Sequence, residues 1–310
     1  MKTEKLATII IPVYNREATI VRCLDSIANQ REIDRFELIL VDNNSTDNSV
    51  HEIREWIKRN SNLRTTLISE HIQSASAARN AGLDIASTPY VMFFDSDDEM
   101  LQGHLERLLN GLVQHPDADI FGWDIICQLP DMRWYKAPFK CNRPMFDHIV
   151  HSSLATQRFA SKTQFFKSVG SWDSTLPGWD DLELGVRLVA AKPKMIKLNN
   201  PDDTPLVKTY FTSNSITGSS FSASPEKWEI ALDRIEKTIR TKQPDKLYLV
   251  AFRRAALAGI YAREGAKSDA RRLLKKATAK GFGKIKARAV YETARVFGRG
   301  TRLLASLLLS

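Results

Sequence analysis

Two acidic clusters hold the side chains best suited to chemistry in this 310-residue chain. Asp95, Asp97 and Asp98 follow directly on the apolar run Tyr90–Phe94 in "YVMFFDSDDEM". Like charges this close repel, so a positive partner is required, either a cation or a set of basic side chains. A D-x-D at the mouth of a strand suits a divalent cation that also holds a diphosphate, and hard oxygen ligands favour Mg2+ or Mn2+. An acidic turn that only caps a helix has a similar composition. A helix starting near Glu99 would give Asp98 that role and would leave Asp95 and Asp97 unexplained. The second cluster, Asp180-Asp181 in "GWDDLELGVRL", opens a helical pattern, where carboxylates favour the positive end of the helix dipole.

Those clusters need elements to place them. "LATIIIPV" reads as a buried strand ending at Tyr14-Asn15, and Ile20, Leu24 and Ile27 then recur at helical spacing. "FELILVD" is a second strand. The turn "NNSTDNS" can cap a helix with Val50, Ile53 and Ile57 on one face. "RTTLISE" is a third strand, "SASAARNAGLDIA" a short helix and "YVMFF" a fourth strand. Strands alternating with helices imply a parallel sheet covered on both faces, with ligands beyond the carboxyl ends of the strands. Three polar clusters fall at those ends: Tyr14-Asn15, Asp42-Asn43-Asn44 and Asp95 to Asp98. They are expected to converge on one rim.

Next come a helical stripe of Leu101, Leu105, Leu108 and Leu112, then "ADIFGWDIICQL" as a strand. Residues 130–165 are mixed and aromatic, with no clear periodicity; Trp134 and Tyr135 are candidates to line an acceptor groove, and Trp179 to stack on a sugar or join the core. A helix follows with Leu182, Val186 and Val189 inward and Glu183 placed to pair with Arg187. "LVKTYFTSNSITGSSFSAS" reads as a last strand running into a polar loop. From Pro225 the pattern is helical, with breaks at Gly265 and Gly281-Phe282-Gly283 that imply helical hairpins.

Hydrophobic residues make up 43% and charged residues 26%, which is ordinary for a soluble globular protein. No uncharged apolar run approaches the roughly 20 residues that span a bilayer. Cys23, Cys127 and Cys141 show no CxxC spacing, which argues against a zinc site or disulfide scaffold and fits a reducing, cytoplasmic compartment. The absence of a P-loop and of G-x-G-x-x-G after a strand argues against ATP and dinucleotide enzymes. Residues 226–310 hold 21 Lys and Arg against 8 Asp and Glu. Such a tail suits peripheral contact with an anionic membrane, and equally a solvated helical face. Its aromatic residues, among them Tyr248, Phe252 and Tyr261, fall at helical core spacing, which argues against nucleic acid as a partner.

With "TIIIPVYN", "ELILVDNNSTDNS", "SASAARNAGLDIA", "PYVMFFDSDD" and "GWDDLELGVRL" in that order, the chain resembles a family 2 glycosyltransferase over roughly residues 6–220. The resemblance implies an α/β, GT-A fold: a Rossmann-like, mostly parallel sheet flanked by helices over residues 1–222, then a smaller all-helical basic domain at 223–310. Residues 1–100 would be the nucleotide-binding half and 101–222 the acceptor half. Pro12, Tyr14, Asp42 and Asn43 would hold the nucleoside, Arg79 would reach the base or phosphates, and Asp95 and Ser96 would also contact the nucleotide sugar. Asp95 and Asp97 would bind Mn2+ or Mg2+, with Asp97 the direct ligand. Asp181 would be the catalytic base, with Asp180 as runner-up, and "NSITG" at 214–218 would fold over the diphosphate. Where the family often has a second aspartate this chain has Asn43, whose amide oxygen can still accept from uracil or thymine.

The activity implied is an inverting, metal-dependent transfer from a UDP- or dTDP-sugar to a hydroxyl of a saccharide or lipid-linked glycan, in surface polysaccharide assembly. Two alternatives stand beside it. A nucleotidyltransferase would carry a glycine-rich basic loop after the first strand, and "PVYNREAT" has none. A non-catalytic module binding a nucleotide sugar, a membrane or nucleic acid would leave both acidic pairs without a purpose.

Overall fold

The computed structural model describes residues 4–198, 204–211, 220–298, 305 and 307–309; the "NSITG" loop lies outside them. The alternation seen in the sequence forms β1 (Ala7–Val13), α1 (Ile20–Ala28), β2 (Phe36–Asp42), α2 (Ser49–Arg59), β3 (Thr65–Ser69), α3 (Ala75–Ile85) and β4 (Tyr90–Phe93). Then come β5 (Glu99–Met100), α4 (His104–Gln114), β6 (Ile120–Gly122), β7 (Ile125–Gln128), β8 (Trp134–Ala137), α5 (Pro144–His151), β9 (Phe159–Lys162), α6 (Thr163–Ser168), α7 (Asp180–Ala190), β10 (Met195–Lys197) and β11 (Val207–Thr209). The chain closes with α8 (Pro225–Lys242), α9 (Leu247–Arg263), α10 (Lys267–Lys276) and α11 (Lys284–Phe297). The α/β class, the mostly parallel sheet and the helical C-terminal region are as the sequence implies.

Two compact units result. The first spans residues 1–141, 154–175 and 193–211 and contains every one of these strands; the second spans 142–153, 176–192 and 212–310 and is built of helices. In the first unit a seven-stranded sheet runs β10-β6-β9-β4-β1-β2-β3. β1 pairs in parallel with β2 and with β4, while β9 is antiparallel to both neighbours. All seven residues of β2 are buried and β1 is buried but for Pro12, as a strand covered on both faces must be. Each Ile, Leu or Val removed from water there contributes about 1.5–3 kcal/mol.

The run "ADIFGWDIICQL" is two strands, not one. β6 belongs to the large sheet and β7 to a four-stranded sheet ordered β5-β11-β7-β8. The break follows Gly122, where an added Cβ would lie 2.1 Å from the Phe139 ring. Asp124 then anchors the turn by accepting the Phe139 N–H at 2.7 Å and pairing with Lys136 and Lys197. The helix expected from Glu99 starts instead at His104, because Glu99 and Met100 pair with Lys208 and Val207 of β11. Asp98 therefore caps no helix.

His104 is fully buried, edge-on to Trp123 at 4.3 Å, with the Leu206 backbone only weakly favouring its charged form. Burial pushes its pKa down from 6.5 to about 3. Between those values the unfolded chain binds a proton that the folded chain refuses, so stability falls as the pH drops. The loss should approach about 1.4 kcal/mol per pH unit from this one residue. Urea midpoints between about pH 7 and pH 4 should fall less steeply in His104→Phe than in the wild type; parallel slopes would contradict the assignment.

In the second unit α9 lies at the centre, buried on most sides. Gly259 lets α11 approach: a Cβ there would stand 2.4 Å from the Tyr291 carbonyl oxygen. Trp228, Leu232, Ile235 and Ile239 of α8 are buried as their spacing implies. No helix of the described residues is long and apolar enough to cross a membrane.

Candidate functional site

Strand order changes direction at β1: the chain steps from β1 to β2 and β3 on one side and places β4 on the other. Such a switch point opens a crevice at the carboxyl ends of the strands. Pairing of β1 with β4 ends at Ile10-Phe93, with one further bond from the Phe94 N–H to Ile10. Past that point Pro12, which has no N–H to offer, costs the sheet nothing. Tyr14 emerges 46% exposed, and Asn15 takes a left-handed φ of 51°. Asn15 Oδ1 accepts the Thr46 N–H at 2.8 Å, so the loops after β1 and β2 are tied together.

The acidic turn sits on the β4 side of this crevice. Asp95 and Asp97 reach solvent, while Ser96 and Asp98 are buried. Asp98 accepts the Gln157 side-chain amide at 2.6 Å and the Tyr210 N–H at 3.0 Å, so it is a structural carboxylate. Burial, then the charges of Asp95 and Asp97, push its pKa well above the carboxylate range. Burial and the neighbouring Asp95 also raise Asp97.

Three arginines answer the repulsion. Arg79 Nη2 donates to Asp95 Oδ1 at 3.0 Å, with its guanidinium 4.5 Å from the centroid of the buried Trp172. Arg16 approaches Asp97 Oδ2 at 3.5 Å, and Arg22 donates to the Asp97 carbonyl at 2.6 Å while pairing with Glu99 at 3.0 Å. Arg79 thus engages Asp95 of the acidic turn. Arg16, Arg22 and Trp172 were not singled out in the sequence. Arg16 lies three residues past β1 and Arg22 within α1, so their approach to the acidic turn is set by how the fold places these segments beside β4.

A divalent cation fits this turn. Four carboxylates, Asp95, Asp97, Asp98 and Glu99, lie beside three guanidinium groups, and among the described residues Asp97 makes one ion pair, a loose 3.5 Å contact with Arg16. Among the described residues no three His, Cys, Asp or Glu side chains converge as a ready metal cage. An ion here would take Asp97, with Asp95, from the protein and its other ligands from a diphosphate and water, as Mg2+ and Mn2+ commonly do.

At the end of β2, Asp42 Oδ1 accepts the Ser45 N–H at 3.2 Å. Asn43 is 3% exposed and clasps the segment after β3. Its amide N–H groups donate to the carbonyls of Glu70 at 2.8 Å and Ile72 at 2.7 Å, and its amide oxygen accepts the Ser74 N–H at 2.9 Å. The amide oxygen expected to accept from a base thus already holds Ser74, the N-cap of α3. Asn43→Asp would set a carboxylate against two carbonyls, so a loss of about 2 kcal/mol is expected. A urea midpoint equal to the wild type would contradict the clasp.

In the second unit Asp180 and Asp181 begin α7, and Asp181 Oδ1 accepts the Leu182 N–H at 2.7 Å. The carboxylate does serve the helix terminus, as the plain reading of an acidic first turn holds. Trp179 just before it has a φ of 54°, is half-buried, and packs 5.3 Å from Trp228 and 6.0 Å from Phe221. Glu183 pairs with Arg187 at 2.8 Å. Gly185 admits the His148 ring, whose Nε2 lies 2.9 Å from the Leu182 carbonyl; a Cβ would stand 2.2 Å from that nitrogen.

The chain matches known proteins in sequence and in fold. The model of a family described as "Glycosyl transferase family 2" matches residues 8–167. A "PGL/p-HBAD biosynthesis glycosyltransferase" of Mycobacterium bovis is 31% identical over 178 residues, covering 56% of this chain and 66% of that protein. "Glycosyltransferase GlyA" of Streptococcus pneumoniae is 38% identical over 120 residues, covering 39% of this chain and 17% of that one. The chain therefore spans less than two thirds of the length of these relatives. Among solved structures, S. aureus TarS 1-349 in complex with UDP-GlcNAc has a TM-score of 0.65 at 16% identity, over 97% of this chain and 91% of that one. The mannosyltransferase PcManGT from Pyrobaculum calidifontis, in complex with GDP-Man and Mn2+, has a TM-score of 0.61 at 19% identity, over 99% and 85%.

Proposed function

From the premise that the chain belongs to glycosyl transferase family 2, we propose that it transfers a sugar from a nucleotide-diphosphate sugar, of UDP or dTDP, to a hydroxyl of a saccharide or lipid-linked glycan. The observation that carries the reading is the acidic turn Asp95–Asp98, set at the β1/β4 switch point with two carboxylates open to solvent. Pro12, Tyr14, Asp42 and the backbone around Asn43 hold the nucleoside, with Arg79, Asp95 and Ser96 nearer the diphosphate and sugar. Mn2+ or Mg2+ on Asp97 and Asp95 would neutralise charge on the departing diphosphate. Arg16 lies beside Asp97 and adds fixed positive charge where the diphosphate leaves.

The acceptor hydroxyl is a poor nucleophile until a base takes its proton in the transition state. Asp181 is assigned that role from its place in the family's acidic pair. The acceptor oxygen bonds to the anomeric carbon as the bond to the diphosphate oxygen breaks, with inversion. The mycobacterial relative is named for PGL/p-HBAD biosynthesis, and a role in surface glycan assembly belongs to the same proposal. A cytoplasmic location, with the basic residues 226–310 against an anionic membrane face, belongs to the same proposal.

Calorimetric titration with UDP, dTDP and GDP, each with Mn2+ and with EDTA, tests the reading. One nucleotide should bind with the metal and bind at least about tenfold more weakly without it. No metal-dependent binding of any of them would favour a non-catalytic module instead.

A further inference from the structure

The four-stranded sheet of the first unit has two unlike faces. Its register puts Met100, Val207, Ile125 and Ala137 in one row facing the apolar core, and Glu99, Lys208, Ile126 and Lys136 in the next row on the outer face. Side chains alternate along strands, so Tyr210, two residues after Lys208, shares the outer face, as does Trp134 opposite Gln128. Trp134 and Tyr135 therefore point to opposite faces, and only Trp134 belongs to this one.

The Trp134 and Tyr210 rings meet edge to face with centroids 5.5 Å apart. The Lys208 ammonium stands 4.8 Å from the Trp134 centroid and 4.9 Å from that of Tyr210. Among the described residues no carboxylate lies within 4.0 Å of that ammonium. Its cross-strand neighbour Glu99 is taken by Arg22, and Lys136 pairs with Asp124. An indole 37% exposed, an amide and an ammonium with no carboxylate beside it among the described residues thus share one surface.

That surface adjoins the acidic turn. The Tyr210 N–H donates to Asp98, and the Arg22 guanidinium, which holds the Asp97 carbonyl, lies 4.0 Å from the Tyr210 centroid. We propose that this face is an acceptor subsite for a saccharide carrying an anionic group such as a phosphate ester. The C–H face of a pyranose lies against Trp134, a hydroxyl meets the Gln128 amide and the anionic group pairs with Lys208. An aromatic wall with a few placed polar groups is the usual construction of such a site, and a cation is the required complement of the charge. The inference rests on the transferase reading and adds to it the chemical class of the acceptor.

Saturation-transfer NMR on the full chain tests it, with glucose 6-phosphate, glucose and inorganic phosphate as probes, each with and without the nucleotide and diamagnetic Mg2+. Glucose 6-phosphate should receive saturation on its ring protons, and glucose about threefold less. The signal should persist when nucleotide is bound. It should fall about fivefold in Trp134→Ala and about threefold in Lys208→Gln, with melting temperatures confirming that both variants are folded. Equal signals from glucose and its phosphate, displacement by equimolar inorganic phosphate, or undiminished signals in both variants would overturn the subsite. Displacement by the nucleotide would assign the charge to the donor's diphosphate and overturn it too. A wild type that binds nucleotide but not glucose 6-phosphate ends this inference and leaves the transferase standing; one that binds neither ends both.

Discussion

Asp97→Ala is expected to lower metal-dependent nucleotide release from the donor by about 1,000-fold, the scale of losing charge stabilisation on a leaving group, without making the metal-free protein less stable. Asp97 is partly buried beside Asp95 and Asp98, and burial with the Asp95 charge disfavours its ionised form. Its one carboxylate partner, Arg16, is at 3.5 Å. Removing it relieves repulsion and leaves Asp98 on Gln157 and Tyr210, so the turn keeps its shape. Activity and stability should then move apart, as at a site strained for function. A variant whose melting temperature drops by several degrees while its nucleotide release persists would make Asp97 a structural residue. Asp98→Ala should do the reverse, loosening β11 through the lost Tyr210 and Gln157 bonds.

Asp181→Asn should cost about 100- to 10,000-fold in transfer to acceptor, the range for a lost general base. Asparagine keeps an oxygen for the Leu182 N–H at the start of α7, whereas alanine would forfeit an N-terminal contact of about 1 kcal/mol. The conservative variant therefore separates chemistry from folding. Wild-type transfer rates in Asp181→Asn would remove Asp181 from the mechanism and direct attention to Asp180.

The strands that carry the site were legible because their signals are local. β1 and β2 are runs of buried, mostly apolar residues, rich in β-branched side chains in β1, that stop where polar residues begin, and the structure ends them at Val13 and Asp42. What local pattern could not carry was pairing at long range. Glu99 and Met100 look like the start of a helix until β11, over a hundred residues on, claims them as an edge. The inward face of α2 is Ser49, Ile53 and Trp56 rather than Val50, Ile53 and Ile57, a rotation that helical periodicity alone does not fix. The site shows the same division. The need for positive charge at Asp95 to Asp98 followed from the residues themselves, but that Arg16, Arg22 and Arg79 supply part of it depends on which helices flank β1. Asn43 reads as a base contact in the sequence, and only the fold reveals the three backbone groups of 70–74 that occupy its amide.

Donor turnover by the wild type decides whether the acidic turn works through a metal. Nucleotide release would be measured from UDP-, dTDP- and GDP-sugars in Mn2+, in Mg2+ and in EDTA. One donor class should be hydrolysed slowly without acceptor when either metal is present, and release should stop in EDTA. Release that continues undiminished in EDTA would contradict the role given to Asp95 and Asp97.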